Sequence, residues 1–192
     1  IEGLLRLLMG AGRDSVAYLI ATASVALLTN PKQLALLRED PERIRPAVEE
    51  FMRVGAMFVT VFARTALEDV EIDGVAIPAG TSVAVSPVAA NRDPAHWGPT
   101  AEEFDVTRDA FGHFGFGSGI HGCIGQQVAR VEIREAITAL LEAFPHLQLI
   151  SAEQLEPQPF AHPVAVYEAG EVLVRLEGAH DFAHHETASS GH

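Results

Sequence analysis

The stretch FGFGSGIHGCIG, Phe114 to Gly125, sets five glycines, a histidine and the chain's single cysteine directly ahead of a helical pattern. Downstream, Ile124, Val128, Val131, Ile137, Leu140, Leu141 and Phe144 recur at helical spacing, which predicts a long helix beginning near Ile124. Cys123 therefore stands at a helix N-terminus, where unpaired backbone N–H groups and the helix dipole favour negative charge on its sulfur. The thiolate is the metal-binding and reactive form of cysteine. Gly122 and Gly125 leave the backbone free to approach the sulfur, and Gly115, Gly117 and Gly119 would let a flat ligand lie on the loop without side-chain clashes. Phe114 and Phe116 offer aromatic cover for the sulfur. The loop suits a large planar metal cofactor.

Working outward, the chain of 192 residues suits one domain with a sizeable core. Its 48% hydrophobic and 20% charged content is ordinary for a soluble globular chain, and the nearly apolar run from Val16 to Leu28 is too short to span a bilayer. A formal charge of -13 repels a phosphate backbone, so neither a membrane nor a nucleic-acid partner is expected. One cysteine excludes an internal disulfide, a four-cysteine iron–sulfur site and a CxxC pair, and suits a reducing compartment.

The opening residues read as a long helix without a capping residue ahead of it, so the chain is expected to start inside a helix; a piece of a longer parent, which the uncapped start argues for, one part of a split protein and a truncated product all stay open. Asn30 and Pro31 end that helix, PKQLALLRED makes a second, and DPERIRPAVEEFMRVGAM makes a third with Asp40 as its cap. Val70, Ile72, Val75, Ile77, Val83 and Val85, placed between the turns Asp73-Gly74 and Pro78-Ala79-Gly80, predict one small antiparallel sheet. Loop is expected from Ala90 to Gly122, and AVYEAGEVLVRLEG reads as a closing hairpin. Residues 179–192 form a His-rich tail expected to be flexible; His180, His184 and His185 leave open a metal site there.

The cysteine stretch resembles the haem-binding signature of the cytochrome P450 family, with Phe116, Gly119, Cys123 and Gly125 on the defining positions. A lone cysteine is by default a small inert hydrophobe, but four matching positions in order argue for a ligand. The resemblance implies that Cys123 is the axial thiolate of haem b (iron protoporphyrin IX), with Gly117 in the same cradle, and such a thiolate favours O–O cleavage. Glu50 and Arg53 in AVEEFMRV resemble the family's structural Glu-x-x-Arg pair. Arg64 matches an arginine that reaches a haem propionate, a contact its bidentate fork suits, and His121 matches a second propionate contact. AGRDS resembles the family's Ala-Gly-x-Asp-Thr stretch on the distal side of the haem. It implies that Ala11 and Gly12 leave room for dioxygen, while Asp14 draws protons from solvent and Ser15 hands them on. Ser15 departs from the usual Thr, Gly122 and Val54 from bulkier residues, and Glu103 from a basic residue that completes the structural triad.

The fold so implied is mainly α with small antiparallel β-sheets, an α+β class, corresponding to the second half of the family's fold from inside its long distal helix. Residues 1–178 are then the carboxy-terminal part of one haem-thiolate monooxygenase domain. The implied protein is cytoplasmic, takes electrons from a ferredoxin and its reductase, and uses dioxygen to oxygenate a small organic substrate. The apolar segment GAMFVTVF, Gly55 to Phe62, suggests that the substrate is hydrophobic. A non-catalytic haem-binding fragment that acts only with a longer parent or partner chain, and a peroxide-driven enzyme, are the alternatives.

Overall fold

The computed structural model describes residues 2–61 and 63–149, together with the short strand 174–175. Helix α1 (Glu2–Thr29) stops where Asn30 Nδ2 donates to Ala26 O at 2.8 Å and Pro31 starts α2 (Pro31–Glu39). Asp40 then accepts from Glu42 N at 3.3 Å, which opens a 3-10 turn, Pro41–Arg43, leading into α3 (Ile44–Val54). The Asn30-Pro31 break and the Asp40 cap fall where predicted, whereas the third helix opens with a 3-10 turn and ends at Val54, short of the expected Gly55-Ala56-Met57.

The core lies between α1, α3 and the long helix that follows the cysteine. Val16, Leu19, Ala23 and Leu27 of α1 meet Val48, Phe51 and Met52 of α3 there, with Ala129, Ile133 and Ile137 on the third side. The last three recur every four residues, so one stripe of that helix is buried. Among the described residues, no helix is long and apolar enough to cross a membrane.

The predicted single sheet is instead two separate ladders. Strand β1 (Arg64–Thr65) pairs with β4 (Ser82–Val83), and between them β2 (Val70–Ile72) pairs with β3 (Val75–Ile77). Both Asp73 (φ 49) and Gly74 (φ 76) have positive φ, the requirement of a tight two-residue hairpin turn. Asp69 Oδ1 accepts from Ala79 N at 2.7 Å and bends the chain before it can extend β3 alongside β4. Near the other end, β5 (Gln148–Leu149) pairs with β6 (Val174–Arg175); the remainder of the expected closing hairpin and the tail lie outside the described residues.

The expected loop from Ala90 to Gly122 begins on α4 (Pro87–Ala90), which Ser86 caps, and contains α5 (Pro94–Trp97), capped by Asp93. It is hung on two side chains of α3. Arg53 holds Glu50 through a fork of 2.7 and 2.8 Å, and both side chains are fully buried. The rest of the guanidinium donates to the carbonyls of Asn91 (2.7 Å), Ala101 (2.6 Å) and Glu103 (2.8 Å). Glu50 Oε1 also accepts from Asp105 N at 2.9 Å and lies 3.5 Å from Arg108 Nε. Arg108 thus supplies the second cation that the sequence lacks at Glu103, whose backbone alone reaches the pair. The cluster meets the condition for tolerating buried charge, because nearly every donor and acceptor has a partner.

Replacing Glu50 with Ala would leave Arg53 charged, buried and short of its counter-ion. Urea titration should show a loss of about 3–5 kcal/mol, as expected when one partner of a buried pair is removed.

Candidate functional site

The cysteine loop is built from short backbone bonds closed by glycines. Cys123 N donates to Phe116 O at 2.9 Å, Gly117 N to Phe114 O at 2.9 Å, and Gly122 N to Gly119 O at 3.0 Å across a 3-10 turn, Gly119–His121. Gly117 (φ 69) and Gly119 (φ 68) occupy left-handed conformations that favour glycine. The following helix, α6 (Gln126–Ala143), begins at Gln126 and is capped by Gly125, so it starts later than the predicted Ile124. Gly122 is extended (ψ 146), so the helical turn reaches back no further than the Cys123 carbonyl, which accepts from Gln126 N at 3.4 Å.

Cys123 is exposed, and the apolar side chains beside it are exposed too, Ile120 at 97% and Ile124 at 72%. A Cβ on Gly119 would meet nothing within 4 Å, and one on Gly125 would lie 3.8 Å from Cys123 Sγ. Among the described residues, no three His, Cys, Asp or Glu side chains gather to hold a metal ion. A metal at this sulfur would therefore take its remaining ligands from outside the protein. A flat macrocycle that carries its own donors, with apolar faces to cover Ile120 and Ile124, fits that requirement.

Both ends of the loop are tied to α3. Phe114 N donates to Asn91 Oδ1 at 2.7 Å, and Asn91 Nδ2 returns to Arg53 O at 3.2 Å. A Cβ on Gly115 would stand 2.7 Å from Met52 O, so the glycine is what lets the loop lie on the helix. Beside it, Glu49 binds the Arg130 fork at 2.6 and 3.0 Å and lies 3.0 Å from His113 Nε2. Burial pushes the Glu49 carboxyl up, but the hydrogen bonds of His113 and Arg130 and the guanidinium charge beside it outweigh it and bring its pKa down to about 2. Phe116 is buried, its ring 4.6 Å from the Arg130 guanidinium carbon and 5.7 Å from the His113 ring, whereas Phe114 is exposed.

The other residues singled out in the sequence lie apart from this knot. Arg64 is exposed on β1 opposite Val83, and His121 is exposed in the 3-10 turn just before the thiol. On α1, Ala11 and Asp14 are exposed and Gly12 and Ser15 are half-buried. Ser15 Oγ donates to Ala11 O at 2.5 Å, within its own helix. Among the described residues, no hydrogen bond joins Asp14 or Ser15 to the cysteine loop. What links them is packing, since Val16, Phe116 and Ala129 share one core. In the segment from Gly55, Met57 packs on that core while Phe58 and Val59 are exposed; Phe62 lies outside the described residues.

The family model described as Cytochrome P450 matches residues 43–167, well over half of the chain. The chain belongs to the cytochrome P450 family. It is 45% identical over 168 residues to Cytochrome P450 105C1 of a Streptomyces species, a match covering 88% of this chain and 43% of that protein. It is 47% identical to the 6-deoxyerythronolide B hydroxylase of Saccharopolyspora erythraea, covering 74% of this chain and 35% of the relative. Among solved structures it resembles the Bacillus subtilis bacillaene polyketide synthase P450 PksS with a TM-score of 0.71 and 36% identity, covering 78% of this chain and 38% of that one. The chain thus spans well under half the length of these relatives. The predicted α+β class holds, and the family's cofactor is haem b.

Glu49, His113, Arg130 and Arg108 were not singled out by sequence reasoning. The available signal was the second carboxylate in VEE and an arginine one turn into the helix after the thiol. Because the folded pKa of Glu49 is depressed, its stabilising contribution is present above pH 4.5 and lost as pH falls toward about 2. Glu49→Gln should therefore destabilise the chain at pH 7, with the difference from the parent vanishing near pH 2 in urea titrations across that range.

Proposed function

We propose that residues 1–178 are the carboxy-terminal part of a haem-thiolate monooxygenase domain in which Cys123 binds the haem iron. The observation that carries this reading is the exposed thiol at the end of a glycine loop, rimmed by exposed isoleucines, with no protein metal site assembled around it among the described residues. Haem b, when bound, supplies an iron centre that activates dioxygen for insertion into an organic substrate.

The chain's own residues divide the remaining work. Phe116, through its carbonyl, holds the Cys123 amide, and Gly117 and Gly125 keep the ground beside the sulfur clear for the macrocycle. Arg64 and His121 are exposed cationic or hydrogen-bonding groups that suit its two carboxylates. Ala11 presents only a methyl group on α1 and Gly12 no side chain, leaving space on the oxygen side. Asp14 is exposed and exchanges protons with solvent; Ser15 Oγ holds its proton on Ala11 O and would pass it on by turning away from that carbonyl. Dioxygen is the co-substrate, and a ferredoxin with its reductase, in the cytoplasm, delivers the electrons.

A hydrophobic substrate is supported by the apolar Met57, Phe58 and Val59, and an organic one by a relative named for hydroxylating 6-deoxyerythronolide B. One observation favours the second reading, a haem-binding piece that acts only with a longer parent or partner. Leu4, Leu5, Leu7, Leu8 and Met9 of α1 are all exposed, so this end of the oxygen-side helix lacks cover.

The reduced, haem-reconstituted chain should give a thiolate-type carbon monoxide band, and Cys123→Ser should abolish it; a band that survives the substitution refutes the assignment. Substrate-dependent reductant consumption separates the two readings. In a chain that turns over, Ser15→Ala should raise the share of reductant consumed without product, and unchanged coupling would count against the relay.

A further inference from the structure

Three charged or polar side chains far apart in sequence meet beside the cysteine loop: Glu49 on α3, His113 ahead of the loop, and Arg130 in α6. Their hydrogen bonds settle which atoms carry protons. Gly115 N donates to His113 Nδ1 at 2.9 Å, so Nδ1 is an acceptor and bears no hydrogen. The ring proton is then on Nε2, which donates to Glu49 Oε2 at 3.0 Å. Arg130 occupies the rest of the carboxylate with its Nε and Nη2 and places Nη1 3.0 Å from Gln126 Oε1.

One carboxylate therefore holds the chain on both sides of the thiol. Upstream, Glu49 fixes His113, and His113 fixes the Gly115 amide. Downstream, Glu49 fixes Arg130, and Arg130 secures the first turn of α6 through Gln126. The two arms close on Phe116, whose ring contacts both Arg130 and His113 and whose carbonyl takes the Cys123 amide at 2.9 Å. The Glu50–Arg53 pair, by contrast, binds the carbonyls of Asn91, Ala101 and Glu103 and the Asp105 amide, all upstream of the loop.

We propose that Glu49 is the positioning residue of the Cys123 loop, acting through His113 and Arg130 to hold the sulfur at a fixed place above α3. The proposal deepens the haem-thiolate reading and rests on it for its purpose, though not for its test. Removing the carboxylate's charge leaves the Arg53 cluster and the Asn91 bond to Phe114 N in place but loosens the His113 and Arg130 ties on either side of the thiol. A hydrogen bond to a charged group is worth enough that local opening should become about tenfold more frequent.

The test compares Glu49→Gln and Arg130→Lys with the parent 192-residue chain by residue-resolved amide hydrogen exchange without haem. The expected result is about tenfold faster exchange at the Gly115 and Cys123 amides in Glu49→Gln, and a smaller rise in Arg130→Lys, which keeps the charge but loses the fork. Exchange in Val48–Met52 and at Asp105 should rise less than at the two loop amides, and by no more than the loss of global stability read by urea titration. Unchanged exchange at the two loop amides, or an equal rise throughout α3, would overturn the proposal. Haem-loaded samples supply a second readout: Glu49→Gln should lower the fraction of the carbon monoxide adduct with a thiolate-type band. If the parent itself takes up no haem, the functional reading fails while the exchange comparison still decides the role of Glu49.

Discussion

The long meander between the β-ladders and the cysteine loop depends on one buried guanidinium. Arg53 is fully buried, yet its fork and its remaining N–H groups are all spent, on Glu50 and on three carbonyls from a segment that has little regular structure of its own. Such a segment cannot hold itself by helical or sheet ladders, because its backbone groups would be left without partners once covered. The arginine supplies those partners from α3. The Trp97 ring, 5.4 Å from the same guanidinium carbon, and Asn91, which reaches both Arg53 O and Phe114 N, carry this order forward to the edge of the cysteine loop.

Two ion-paired clusters with different tasks therefore sit side by side on α3. Glu50 faces the long meander and has no exposure, whereas Glu49 faces α6 and the loop and keeps a little. The helix serves as a fixed bar between them. Neutral backbone contacts complete the arrangement, most clearly at Gly115, where any side chain would collide with the Met52 carbonyl. The thiol is thus held by its neighbours' backbone and by distant charge, and the sulfur itself is left open.

Much of this was legible in the sequence where the determinants are local. Asn30-Pro31, Asp40-Pro41 and Asp73-Gly74 each act within a few residues, and each produced the expected boundary or turn. The glycine pattern around Cys123 also reads directly, since left-handed φ at Gly117 and Gly119 is a property of those positions alone. Glu49 was invisible because its partners lie 64 and 81 residues away, and because an acidic residue next to Glu50 looks like solvated helix surface. Arg108 was missed for the same reason. The single sheet became two ladders because Asp69 captures the Ala79 amide, a side-chain bond that alternation of valines does not encode.

The placement of the β2–β3 hairpin has a consequence for how this chain can vary. Its turn is exposed at both central residues, and the β1–β4 ladder closes beneath it, holding Arg64 opposite Val83. Lengthening a surface loop adds only about 0.6 kcal/mol of closure entropy per doubling. Insertions at Asp73-Gly74 would thus stop at the ladder without altering the register of Arg64. The tip can lengthen, shorten or accept a graft while the base stays fixed, giving this region a site of evolutionary freedom insulated from the β1–β4 ladder.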